Sequence, residues 1–282
     1  MTHASFVLRV RSGKQRHTHA VIAPGQALRV GHGEPAELVI AADRRLGLVH
    51  FTLWNDGTEC HLTCAGTVGE IWVNGLSVTS CAVPHGAWLR AGETDFSLYR
   101  EGHTPPLDEP EETEQKRAAL SALGGAGEPL FGVFDSARDM RVLELLRESR
   151  ETVASLYDGE AGEAMADGAP YLAAFSAGGE SGSLLSRLVA EGWGRSWGIY
   201  LESSRPFVEV RRHLRRFLVV KNDETEERLY FRYYDPRVLR VFLPTCTQRQ
   251  RGELFAEVSR YWLEGEDGGV VTFEKGAARG RA

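Results

Sequence analysis

The sequence predicts two folded regions, an all-β sandwich followed by an α/β domain with a mixed sheet. Three observations carry this expectation. Short apolar segments separated by turn residues recur through residues 5–100, the punctuation of a sandwich. Beyond residue 129, strand-like runs alternate with segments of helical spacing. Between the two lie Pro105, Pro106 and Pro110, the acidic residues Asp108, Glu109, Glu111, Glu112 and Glu114, and Gly124-Gly125-Ala126-Gly127. Such a composition buries too little apolar surface to offset chain entropy, so it reads as a linker. The expected organisation is a sandwich over 1–103, an acidic Pro/Gly-rich linker over 104–128 and an α/β domain over 129–282.

In the first region, strands are expected at 6–10, 28–30, 37–40, 50–54, 59–64, 71–73, 76–79 and 94–99. Asn74-Gly75 is a hairpin turn signal, because both residues tolerate positive φ. Inside the linker, 116–123 has the spacing of a short helix. The second region opens with a strand at 130–134. Leu143, Leu146, Val153 and Leu156 then predict a helix over 138–156. A strand at 171–175, a helix at 184–191 and a strand at 196–201 follow. Ser203 or Ser204 can cap the next helix, with Pro206 in its first turn. On that helix Phe207, Val210, Leu214, Phe217 and Leu218 should face inward, and Arg211, Arg212, Arg215 and Arg216 outward. A hairpin through 222–227 leads to an aromatic strand at 229–234. There Asp235-Pro236 signals a helix start, the carboxylate capping free N–H groups and proline suiting the first helical position. Val238, Leu239, Phe242 and Leu243 line one side of this short helix, and Pro244 stops it.

The chain has 282 residues, 42% hydrophobic and 26% charged, ordinary values for a globular protein of two domains. With 33 basic against 39 acidic residues, the formal charge of −6 gives no general attraction to nucleic acid, and none is expected as a partner. The charge is uneven: residues 205–251 hold twelve Lys or Arg against six Asp or Glu. A basic face on an acidic protein suggests one acidic partner surface or a solvated helix. No apolar run approaches the roughly 20 residues that span a bilayer, so no membrane partner is expected. The first residues lack signal-peptide architecture, and four cysteines make no disulfide framework, which together predict a cytoplasmic protein.

Candidate chemistry is sparse. Cys60, Cys64, Cys81 and His85 invite a zinc reading, but Cys60, Leu62 and Cys64 alternate along one strand and read as small core residues. No metal or other cofactor is expected. Gly179-Glu180-Ser181-Gly182-Ser183 fails as a nucleophile elbow because its last residue is serine, and His213 sits among arginines on what should be an exposed helix face. One of Asp135 and Asp139 should cap the helix that begins there, and Arg232 with Asp235 reads as a structural pair. No catalytic residue is assigned, and the expectation is a protein that is not an enzyme.

Two resemblances sharpen this. Val30-Gly31-His32-Gly33, Asp43, His50, Val73-Asn74-Gly75 and Leu89-Arg90-Ala91-Gly92-Glu93 follow the order and spacing of a forkhead-associated (FHA) domain. The resemblance implies a sandwich in which His50 braces its loop. Members that read phosphothreonine use an arginine after the first motif glycine, a serine three before the motif histidine, and an asparagine ahead of the Asn-Gly turn. Here His32, Gly47 and Gly69 stand at those places, so phosphopeptide binding is not expected. Should it occur, His32, Arg44, Arg45 and Asn74 are its candidates.

The second resemblance covers residues 129–256. It runs through Leu130-Phe131-Gly132-Val133-Phe134-Asp135, Leu156-Tyr157-Asp158-Gly159, Ala169-Pro170-Tyr171-Leu172 and Trp193-Gly194. Its strongest part is Phe231-Arg232-Tyr233-Tyr234-Asp235-Pro236-Arg237, closed by Leu243-Pro244-Thr245 and Thr247-Gln248-Arg249-Gln250. This series resembles the core domain of type VI secretion effector chaperones, also called effector adaptors. The resemblance implies a non-enzymatic adaptor that binds a cognate secreted effector and helps load it onto the valine–glycine repeat spike protein. The alternative is a phosphothreonine-dependent scaffold regulating secretion. Arginine and tyrosine are enriched at binding hot spots, which makes Arg211, Arg212, Arg215, Arg232 and Arg237, with Tyr233 and Tyr234 as anchors, the candidate contact residues.

Overall fold

The computed structural model describes residues 4–66, 69–107, 113–159, 162, 165–176, 182–221 and 227–276. The chain divides into two compact units, one of 1–105 with 147–152, the other of 106–146 with 153–282.

The first unit is an all-β sandwich. Its strands are β1 (Phe6–Val10), β2 (His19–Ile22), β3 (Ala27–Gly31), β4 (Leu38–Val39), β5 (Phe51–Asn55), β6 (Cys60–Cys64), β7 (Ile71–Val73), β8 (Leu76–Val78), β9 (Ser80–Val83), β10 (Ala87–Ala91) and β11 (Thr94–Arg100). They form one sheet in the order β2-β1-β11-β10-β7-β8 and another in the order β4-β3-β5-β6-β9. Alternation decides the faces: Ala87, Leu89 and Ala91 of β10 are buried while Trp88 and Arg90 point out. Phe51 and Phe96 meet edge to face, ring centroids 5.7 Å apart, in the core between the sheets. Three strands were not anticipated, at 19–22, 80–83 and 87–91. Each is only four or five residues long, with an apolar run of three. Cys60, Cys64 and Cys81 are free thiols of this sandwich, and burial pushes the Cys60 thiol up to about 12. Within this unit Arg9 Nη2 donates to Ser149 O (2.6 Å), and the Thr104 hydroxyl donates to the buried carboxylate of Glu148 (2.5 Å).

The second unit wraps helices around a six-stranded sheet of order β13-β14-β12-β15-β18-β19. These strands are β12 (Leu130–Asp135), β13 (Thr152–Ser155), β14 (Pro170–Ala174), β15 (Gly198–Glu202), β18 (Arg260–Glu264) and β19 (Val270–Glu274). β12 pairs antiparallel with β14 and β15, and β15–β18 and β18–β19 are antiparallel too. Every residue of β12 is buried, because both faces of the sheet are covered. Against one face, with Leu130, Phe134, Tyr200 and Trp262, pack residues of α1 (Glu114–Gly124), α2 (Met140–Glu148) and α3 (Leu184–Gly192). Against the other, with Phe131, Val133, Ile199 and Leu201, pack residues of α4 (Phe207–Arg215), α5 (Pro236–Thr245) and α6 (Gln248–Leu254). A two-stranded sheet, β16 (Val219–Lys221) with β17 (Arg228–Tyr230), lies between α4 and α5 in sequence.

Several expectations need correction. Part of the stretch read as linker is folded: Thr113 caps α1, accepting from Lys116 N at 3.3 Å, and Ala119 and Leu123 are buried. Residues 108–112, its most acidic part, lie outside the described residues. The helix expected over 138–156 ends at Glu148, and Val153 belongs to a strand, where a β-branched side chain packs well. The aromatic strand expected at 229–234 is only Arg228–Tyr230, because Tyr233 and Tyr234 turn inward ahead of α5. Neither Ser203 nor Ser204 caps α4, whose N-cap is Pro206; Ser203 Oγ donates instead to Glu257 O (2.5 Å). The hairpin residues 222–226 and Ser181 are outside the described residues.

Asp235 is the N-cap of α5, its carboxylate accepting from Arg237 N (3.0 Å), with Pro236 at the first helical position. Asp235→Ala is expected to cost about 1 kcal/mol of stability. An unchanged denaturation midpoint would remove the cap from the account.

Candidate functional site

Two surfaces concentrate the residues singled out by sequence. The first is the loop end of the sandwich around His50. His50 is buried; its Nδ1 accepts from Gly47 N (3.2 Å) and its Nε2 faces Glu70 O (3.4 Å), which defines a neutral ring. Gly69, at φ +70, leaves the space this ring fills, since a Cβ there would lie 2.7 Å from His50 Cε1. Asp43 braces the same end by accepting from the Thr94 hydroxyl (2.7 Å), Glu93 N (2.7 Å) and Arg45 N (3.1 Å). Burial works to raise the Asp43 pKa, but these three bonds outweigh it and hold the carboxyl below its ordinary value.

The result is a shallow pocket of about 280 Å³ lined by Arg45, His50, Gly69, Glu70, Trp72, Arg90 and Gly92. Arg45 pairs with Glu93 at 3.2 Å. Arg44 and Arg90 are exposed and make no ion pair or side-chain hydrogen bond among the described residues. His32 is spent on Leu46 O (2.6 Å). Asn74, at φ +49, is a turn residue whose Oδ1 accepts from Trp88 N (2.9 Å), and it does not line the pocket. Sequence alone missed Arg90 and Trp72. Their signal is cross-strand: they are direct partners on the outward face of β10 and β7.

The second surface belongs to the second unit. Arg211 Nε donates to Ser155 O (2.8 Å) and its Nη2 to Tyr157 O (3.2 Å), while Arg215 donates to Leu156 O (3.0 Å) and pairs with Asp158 (2.8 Å). These two arginines therefore tie α4 to 155–158 and are not free contact groups, a correction to their outward placement. Arg212 is exposed and makes no ion pair or side-chain hydrogen bond among the described residues. Arg232 pairs with Asp135 (2.5 Å), not Asp235, and its guanidinium lies 6.0 Å from the Tyr234 ring centroid. Burial pushes the Asp135 carboxyl up, with the Arg232 charge opposing it. Arg237 folds back on Asp235 (2.6 Å). Tyr233 and Tyr234 are each 1% exposed, so they are core rather than anchors. The Tyr233 hydroxyl donates to Leu214 O (3.1 Å) and that of Tyr234 to Tyr230 (3.4 Å). His213, expected on an exposed face, is buried with Nε2 on Leu254 O (3.0 Å).

Burial first of all lowers the pKa of both His50 and His213 below 6.5. The unfolded chain takes up protons on these rings near pH 6.5 that the folded chain refuses, so their contribution is complete above that pH and lost below it. The melting temperature is expected to fall between about pH 7.5 and about pH 5.5, and less so in His213→Gln. A flat profile in the parent protein would contradict the buried neutral rings.

Among the described residues no helix is long and apolar enough to cross a membrane. Residues 130–253 match the model of a family described as a domain of unknown function, DUF4123. No curated protein matches the chain. Among solved structures, it is similar to the FHA domain of the CT664 protein from Chlamydia trachomatis, at 18% identity over 34% of this chain and 96% of that one, with a TM-score of 0.32. It is also similar to the FHA domain of a hypothetical protein from Arabidopsis thaliana, at 20% identity over 35% of this chain and 87% of that one, TM-score 0.33. A third is a structure from an analysis of phosphothreonine-dependent FHA domain interactions, at 22% identity over 34% of this chain and 95% of that one, TM-score 0.30. The chain carries a β-sandwich followed by an α/β unit, of which residues 130–253 match the DUF4123 family model.

Proposed function

We propose that this protein is a non-enzymatic adaptor that binds a cognate secreted effector and helps load it onto the valine–glycine repeat spike of a type VI secretion apparatus. One observation carries the reading: the charged groups of the signature segment brace the fold. Asp135 holds Arg232, Asp235 caps α5 and holds Arg237, and Arg211 and Arg215 grip main-chain carbonyls. Groups committed to internal bonds serve a scaffold, and the exposed apolar residues left on the surface suit protein binding. The match of residues 130–253 to DUF4123 supports it, given that the same stretch resembles the effector-chaperone core. The test is to read the genes that flank this one and to co-express the full chain with a spike protein and a large toxin-like protein found there. A stoichiometric complex that also retains the spike protein is expected; two separate proteins on gel filtration would overturn the reading.

A second reading, a phosphothreonine-dependent scaffold regulating secretion, draws on the pocket beside His50, where Arg90 offers a cation that makes no ion pair or side-chain hydrogen bond among the described residues. Titrating phosphorylated and unphosphorylated threonine peptides separates the two. Binding confined to the phosphorylated peptide and lost in Arg90→Ala supports this reading, and indifference to phosphorylation ends it.

A further inference from the structure

Three histidines gather where residues 147–152 lie against the sandwich. That short segment belongs to the sandwich unit, although the residues on either side of it, in α2 and β13, belong to the other. Arg9 and His19 are direct cross-strand partners on β1 and β2. Arg9 donates from Nε to Arg147 O (2.9 Å) and from Nη2 to Ser149 O (2.6 Å), and His19 Nε2 meets Arg150 O (2.9 Å). These side chains hold the segment by its carbonyls. Arg150 in turn donates to Glu101 (2.7 Å) and to the Ser5 hydroxyl.

A second grip lies at Glu148, which is buried and accepts from both the amide (3.0 Å) and the hydroxyl of Thr104. His85 Nε2 stands 3.7 Å from Glu148 Oε1, and His85 Nδ1 accepts from Arg100 N (3.0 Å). The His103 ring stacks on that of His85, with centroids 3.8 Å apart and planes inclined by 14°.

Protonation works against this arrangement at both His19 and His85. A proton on His19 puts a cation beside the Arg9 guanidinium of the neighbouring strand and next to Arg150. A proton on His85 Nδ1 removes the acceptor of Arg100 N, and the charged ring then faces Arg100 and the stacked His103. Glu148 attracts that charge, but 3.7 Å is too long for a hydrogen bond and Thr104 already occupies the carboxylate. Accordingly burial first and Arg9 second lower the His19 pKa below 6.5. Burial and then His103 lower that of His85, with Arg100 acting in the same direction and Glu148 opposing. The closed segment refuses protons that a released one takes up near pH 6.5. Closure is therefore complete above that pH and is lost as the pH falls below it.

We propose that residues 147–152 form an acid-released strap, held to the sandwich while His19 and His85 are neutral and freed when they take up protons. Release loosens the entry to β13, the edge strand of the second sheet.

The Thr104 amide reports the strap directly, because its partner is the Glu148 carboxylate. Its hydrogen exchange is followed by NMR in the full chain at about pH 7.5 and about pH 5.5, corrected for the intrinsic rate, with the amides of β5 as reference. Thr104 is expected to lose about tenfold in protection between the two conditions and to stay less protected than β5 at both, the mark of a local opening. In the double variant His19→Gln, His85→Asn the amide side chains keep the Nε2 donor and the Nδ1 acceptor but do not titrate. Protection there should change by less than about twofold. Each single variant should show an intermediate loss, which keeps the proposal falsifiable if the double variant perturbs the fold. Protection in the parent that does not fall with acid, that falls equally in the variants, or that matches β5 overturns the proposal. A rise at pH 5.5 overturns it as well, since it would mean that charged His85 closes the strap on Glu148.

Discussion

Tyr233→Ala is expected to destabilise the second unit by about 3–5 kcal/mol, the cost of truncating a fully buried aromatic side chain. The ring is 1% exposed and meets Phe217 and Tyr234 edge to face, with centroids 6.1 and 5.6 Å away. Its neighbours Leu214, Leu239 and Leu243 come from α4 and α5, so the cavity would open where both helices join the sheet. Tyr233→Phe keeps the ring and loses only the bond to Leu214 O, about 1 kcal/mol. Hydrogen exchange of β12 and β15 amides across a denaturant series measures both. A loss below about 1 kcal/mol in Tyr233→Ala would mean that the pocket collapses around the missing ring, and that this tyrosine does not anchor α4 and α5.

Tyr233 also marks where the sequence could be read and where it could not. Short apolar segments separated by turn residues, with Asn74-Gly75 among the turns, announce the sandwich, because strand length and turn chemistry are local properties. Asp235-Pro236 announced α5 for the same reason. The side-chain assignments of the second unit were different. Two adjacent tyrosines beside arginines have the composition of a hot spot, yet the chain turns inward after Tyr230 and buries both. Helical spacing correctly put Leu214 inward, but Arg211 and Arg215 lie close enough to 155–158 to reach its carbonyls, a non-local contact no periodicity reveals. His213 shows the converse: flanked by arginines, it is still buried because its helix packs near Leu254. In the sandwich, the motif spacing located His50 and Asp43. Arg90, an exposed cation of the adjoining pocket beside Arg45, is assigned only once β10 is paired with β7.

The clearest case of such hidden chemistry is Glu191. Helical spacing placed it at the end of a helix, where a glutamate is ordinarily solvated, but it is 3% exposed. Arg141 Nε donates to its Oε2, and Arg187, one turn before it on α3, donates to its Oε1 from Nη2 at 3.1 Å. The Arg141 and Arg187 side chains are only 16% and 17% exposed. Removing the carboxylate takes from two largely buried guanidinium groups the acceptor that they share. Glu191→Ala is therefore expected to cost about 3 kcal/mol or more, within the range for breaking a buried ion pair from one side. Glu191→Gln keeps the shape and one acceptor oxygen and should cost less. Replacing Arg141, Arg187 and Glu191 together by apolar residues of similar size should recover much of the loss, because no charge is then left without its partner. The comparison is made by equilibrium denaturation at low and high salt. Screening reaches exposed pairs and spares buried ones, so the Glu191→Ala penalty should change little with ionic strength. A penalty that vanishes in high salt would show the cluster to be solvated, and the α2–α3 layer would then be held by its leucines alone.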